Sequence, residues 1–196
     1  MKKKDIDLFA ILIGIVIGCL FGYFIGMRIN NEKLQPVDNN PPTIGNVYVL
    51  QIASSTNQGD LLNVLKDCEF NYELINNNNV YYVYTFITTD EDLINERKVE
   101  FENLGFSPVV KNEYILDWPN KYIHDQKKYD FYEYAITMLL NSLNGEPIII
   151  DEKYAVDKIN INIDSNLHYL STVRNQEVKE FIQLETYKLL FDELNK

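Results

Sequence analysis

The side chains best suited to acid–base, nucleophilic or metal chemistry are few. His124 and His168 are the two histidines, and Cys19 and Cys68 the two cysteines. Nothing matches the HExxH, CxxC or paired-histidine spacings that bring ligands onto one metal. No glycine-rich loop stands ready to cradle a phosphate. Asp130 and Glu133 follow His124 on a predicted helix, but they define no triad. The other carboxylates are scattered over polar faces, where solvation is their default role. Cys68 precedes no base and reads as a half-buried structural thiol. A hydrolase would need an acid–base pair that the chain does not name. The expectation is a protein without catalytic residues, metal or cofactor.

Charge narrows the partners. The 196 residues carry a formal net charge of −11. Residues 1–30 contribute +2, from Lys2, Lys3, Lys4 and Arg28 against Asp5 and Asp7, which leaves −13 on the rest. An acidic body repels phosphate backbones, so nucleic acid is not the expected partner. Cys19 sits in an apolar run and Cys68 in a polar one, so no disulfide framework is predicted.

The apolar run is Leu8 to Met27, LFAILIGIVIGCLFGYFIGM, with no charged residue. At about 1.5 Å per residue, twenty residues cross roughly 30 Å, the thickness of a bilayer's hydrocarbon core. Residues 1–7 are basic and the long remainder acidic. The positive-inside rule therefore places the N-terminus in the cytoplasm, a single span at 8–28, and the body outside the cell membrane. Two alternatives compete: a cleaved secretory signal, which lacks a small-x-small site, and a lipoprotein signal at Val16-Ile17-Gly18-Cys19. The chain stays apolar well past Cys19, which favours the spanning helix. Gly14, Gly18, Gly22 and Gly26 recur every fourth residue. On a helix they form a smooth stripe for close packing against a second copy or another membrane helix. Residues 29–45, rich in Asn and Pro, read as an extended linker.

Beyond the linker one phrase occurs twice. Tyr48-Val49-Leu50-Gln51-Ile52-Ala53-Ser54 and Tyr82-Val83-Tyr84-Thr85-Phe86-Ile87-Thr88 are both rich in aromatic and β-branched residues, with period-2 alternation. Each runs into a capping signal, Ser54-Ser55-Thr56-Asn57 or Thr88-Thr89-Asp90, and then a helical pattern. Second strands are expected at Phe70–Ile75 and Phe106–Lys111. Gly105 is the expected stop of the second helix, and Asn76–Asn79 the tight turn between halves. Two β-α-β halves make a ferredoxin-like α+β sandwich, two helices on one face of a four-stranded antiparallel sheet. Leu50, Ile52, Tyr84 and Phe86 are then expected to face the helices. Val49, Gln51, Ala53, Val83, Thr85 and Ile87 are expected on the other, open face. That face is either a groove for an extended ligand or a surface covered by the C-terminal segment.

With its tethered placement, the segment resembles a SPOR domain, the sporulation-related repeat. The first strand carries the family's Tyr-x-Val-Gln-like opening. Leu104-Gly105-Phe106-Ser107-Pro108-Val109-Val110 is similar to its Gly-aromatic-x-Pro-x-Val ending. The resemblance implies binding of peptidoglycan glycan strands stripped of stem peptides, through the open sheet face, in cell division or sporulation. Gln51 and Ser54 match family positions and are the residues carried over. Val49, Val83 and Thr85 join them as neighbours on that face. Ala53 and Ile87 replace two family glycines, and Ser55 and Thr89 stand where a Phe follows.

The SPOR-like domain is thus placed at 46–115 and a helical region at 116–196. There, Gln126–Asn144 presents Phe131, Ala135, Met138 and Leu139 at helical spacing, with Gly145 as a stop. Val178–Leu194 presents Phe181, Leu184, Tyr187, Phe191 and Leu194 on one face. These helices are expected to bundle together, to pack on the SPOR-like unit, or to dock a partner. Two candidate functions result: a single-pass protein that binds wall glycan, or a non-enzymatic envelope scaffold. The scaffold would join copies of itself or the membrane proteins of division or sporulation, with a SPOR-like fold that has lost its glycan site.

Overall fold

A computed structural model describes residues 45–66, 68–157 and 159–195. The repeated phrase becomes β1 (Asn46–Ser55) and β3 (Val80–Thr88), each followed by a helix and a strand. These are α1 (Gln58–Leu65) with β2 (Glu73–Asn77), and α2 (Glu91–Asn103) with β4 (Val109–Tyr114). All pairings are antiparallel, in the order β2-β3-β1-β4. Local chemistry accounts for the joints. The Asp90 carboxylate accepts from the N–H groups of Asp92 and Leu93 and caps α2. Gly105, at φ +89, ends it: Phe106 N–H bonds to Phe101 O, and Gly105 N–H to Glu102 O. Asn78 and Asn79, at φ 51 and 62, form the two-residue turn between β2 and β3.

Two strands begin later than the sequence predicts. Phe70 belongs to an aromatic cluster instead, edge-on to Phe101 at 5.0 Å and to Phe106 at 5.6 Å. Phe106 is also the apolar partner of the α2 stop, and Pro108 has no N–H to give a ladder. β2 and β4 start three residues beyond the expected positions as a result.

The remaining chain is helical. A 3-10 turn (Trp118–Tyr122) leads to α3 (Gln126–Leu143), α4 (Glu152–Asp157), α5 (Ile161–Thr172) and α6 (Gln176–Leu194). Helices α4 and α5 go beyond the sequence expectation. The signal for α5 is present: Asn160 caps the N–H groups of Asn162 and Ile163, and Ile163, Leu167 and Leu170 recur at helical spacing on the buried side. Ile148 and Ile150 are loop residues that pack on the helical core.

Helix α6, backed by α3 and α5, closes the second face of the sheet. One core lies between the sheet and α1 with α2, from Leu50, Ile52, Val83 and Phe86 against Leu61, Leu65, Ile94 and Phe101. The other lies between the sheet and the C-terminal helices, where Val49, Ile75, Tyr84 and Ile87 meet Phe131, Leu167 and Tyr187. Of the three arrangements open to the C-terminal helices two are observed together: they bundle with one another and, through α6, pack on the sheet. The described residues all belong to one compact unit.

The alternation also slips. Between β1 and β3 the register shifts at Leu50/Gln51 and again at Gln51/Ala53. A bulge adds a residue and flips the rest of the strand to the other face. Tyr84 therefore faces the C-terminal helices and Val83 faces α1 and α2, the reverse of the expectation. Ala53 likewise packs on the α1–α2 side. The expected span at 8–28, its glycine stripe and residues 29–44 of the linker lie outside the described residues. Among the described residues no helix is long and apolar enough to cross a membrane.

Candidate binding surface

The five residues expected to hold a ligand do not share a face. Val49 and Val83 are fully buried, each in a different core. Ser54 is exposed near the end of β1, paired with Tyr82. Gln51 and Thr85 lie at the bulged stretch, half-buried. Gln51 Oε1 and Thr85 Oγ1 are enclosed without a hydrogen-bond partner among the described residues. A buried acceptor left unpaired costs about 1–3 kcal/mol. The open groove expected of this face is absent because α6 lies along β2 and β3 and fills it.

What replaces the groove is an aromatic and acidic seam. Tyr187, on α6, donates from its hydroxyl to Glu113 Oε2 on β4 at 2.7 Å. Its ring sits 6.3 Å from Tyr84 and 5.6 Å from Trp118, the single tryptophan. Burial first, then the Glu113 carboxylate, holds the Tyr187 phenol well above its ordinary value. The same two causes raise Tyr84. Both phenols are neutral at any physiological pH, and between them the two residues join β3, β4 and α6. Tyr82 stacks on Tyr84 at 6.2 Å, with Lys111 Nζ 4.3 Å from the Tyr82 ring centre.

Further polar contacts tie α6 to the rest. Gln183 donates to the Ser142 hydroxyl of α3 at 2.9 Å inside the core, and Glu180 accepts from Arg97 of α2 at 3.1 Å. A polar hollow of about 500 Å³ lies at the β2–β3 turn, lined by Asn76, Asn77, Asn78, Asn79 and Asn195. Among the described residues no group of three His, Cys, Asp or Glu side chains is placed to hold a metal. His124 is exposed, and His168 leans on the Asp164 carbonyl of its own helix. Cys68 is a half-buried free thiol on the α1 side.

Glu73 of β2 has a raised affinity for protons, chiefly through burial, with Glu185 and Asp192 adding to it and Lys188 opposing. A folded-state value above the ordinary 4.5 gives stability that is present below that pH and lost as pH rises. Glu73→Gln is therefore expected to raise the Tm at pH 7. The gain should shrink on acidification and vanish below about pH 4. Thermal melts across pH 3.5–7.5 check this, and an equal gain at all pH values would contradict it.

Comparison of the chain with models of known families, with curated proteins and with solved structures finds no match.

Proposed function

We propose that this chain is a non-enzymatic scaffold of the cell envelope, held at the membrane by the apolar segment at 8–28, with a body that binds protein partners rather than wall glycan. The observation that carries this reading is the closed sheet. The β-α-β-β-α-β order and the β2-β3-β1-β4 arrangement support a ferredoxin-like, SPOR-type unit as the ancestor of the body. The face through which that resemblance implies glycan binding is filled by α6, and Val49 and Ile87 lie beneath it. An extended sugar chain cannot reach side chains sealed under a helix. A covered sheet with added helices instead offers a broad acidic surface for protein contacts.

Glycan binding is the second reading. It is favoured by Ser54, Tyr82 and Lys111, which remain partly accessible near the end of β1. Co-sedimentation of the body with bacterial sacculi separates the two. The scaffold reading expects no pelleting with intact wall or with wall denuded by an amidase. Pelleting with denuded wall, lost on Lys111→Ala, would overturn it.

A further inference from the structure

We infer that the β4 edge of the sheet is a self-pairing surface, on which a second copy of this chain adds its own β4 antiparallel. This rests on the scaffold reading and names one of the scaffold's partners.

A sheet of order β2-β3-β1-β4 has two edges. Native edges are blunted by charged side chains, by proline, by bulges, by shortness or by a covering element, because an open row of N–H and C=O groups invites another strand. β2 is the shorter of the two, with five residues. Among the described residues no strand pairs with the free edge of β4. Its two charged residues, Lys111 and Glu113, are of opposite sign, so they guard against a foreign strand but match a second copy. The six residues of β4 contain no proline. It pairs with β1 without a register shift from Asn46↔Tyr114 to Gln51↔Val109, so its free edge is straight. Val109 and Tyr114 are 39% and 42% exposed, large apolar side chains at either end of the strand, and Asn112 between them is exposed as well.

The sequence of β4 matches itself in one register. A two-fold axis through Asn112 sets Lys111 opposite Glu113 on one face of the joined sheet. It sets Val110 opposite Tyr114 on the other. Cross-strand pairs of opposite charge, and of aromatic with β-branched residues, are the favourable ones. Moving the axis to Lys111 sets two lysines against each other. Moving it to Glu113 sets two glutamates against each other. Of these registers the one at Asn112 satisfies both faces, and it joins two four-stranded sheets into one of eight strands. Such an interface is isologous and closes at two copies. Tethering in one membrane raises the local concentration of the edges and favours the contact.

Disulfide trapping in the full-length protein tests this. Cys19 and Cys68 are replaced by Ser, and the protein is reconstituted in vesicles. Asn112→Cys then sets two thiols directly opposite across the axis, where antiparallel neighbours have Cβ atoms about 4.5–5.5 Å apart, close to disulfide geometry. Asn103→Cys, on the exposed end of α2, is the control. Mild oxidation is expected to convert the Asn112→Cys protein to covalent dimer at least fivefold faster than the control. Adding Lys111→Glu, which sets Glu against Glu113, should slow it at least threefold. Equal rates at the two cysteines, or indifference to Lys111→Glu, would overturn the inference. Neither result touches the sacculus experiment, so failure of the self-pairing edge and failure of the scaffold reading are told apart.

Discussion

Deleting residues 176–196 is expected to unfold the body rather than to release an intact four-stranded domain. Helix α6 buries Ile182, Leu184, Tyr187, Leu190, Phe191 and Leu194. Full burial of a large apolar side chain contributes about 1.5–3 kcal/mol, so six contribute roughly 9–18 kcal/mol. The net stability of a whole domain is about 5–15 kcal/mol. Removal would also bare Val49, Tyr84 and Ile87 on the sheet. A fragment of residues 42–175 should therefore give no cooperative urea transition by circular dichroism, where 42–196 gives one. A fragment that melts cooperatively near the parent's midpoint would show that α6 is an accessory.

The second large effect is at Tyr187. Its ring is wholly buried between the sheet and Trp118, and its hydroxyl serves Glu113. Tyr187→Ala should cost about 3–5 kcal/mol, the range for deleting a buried aromatic ring. Tyr187→Phe keeps the packing but leaves Glu113 without its donor, at about 1–3 kcal/mol. The two variants also differ from the parent in alkali. A phenol held above its ordinary 10.0 gives stability that is present below that pH and lost as pH rises past it. The parent should weaken above pH 10, and Tyr187→Phe should weaken less. Urea titrations at pH 7 and pH 10.5 read both effects. Identical pH dependence in parent and Tyr187→Phe would place the alkaline loss elsewhere.

The local grammar of the body is legible in its sequence, and its third layer is not. Asp90, Gly105 and the Asn78–Asn79 turn act through bonds to near neighbours, so their residue types foretell their roles. The facing of the strands depends on distant chain. Between Val47 and Ala53, and again between Val80 and Ile87, nearly every residue is apolar or aromatic. That is the pattern of strands buried on both sides. Reading it as strict alternation leaves one face open, and the bulges at Gln51 then misplace Tyr84 and Val83. The candidate site suffers most, because Gln51 and Thr85 lie where the register slips. Gln51 is opposite Tyr84 on one side and Val109 on the other. In α6, Gln183 and Thr186 interrupt the apolar face: Thr186 bonds back to the Ile182 carbonyl one turn earlier, but Gln183 finds Ser142 of α3, a partner that no spacing rule supplies.

The closed sheet makes one cooperative unit of two helical layers, and native-state hydrogen exchange tests that most directly. The slowest amides of α2, around Ile94, and of α6, around Tyr187, are predicted to exchange with the same opening free energy. That energy should equal the free energy of global unfolding. Exchange of α6 at a free energy several kcal/mol lower, with β1, β3 and α2 still protected, would contradict it. The helix would then be a removable cover, and the sheet face beneath it a site.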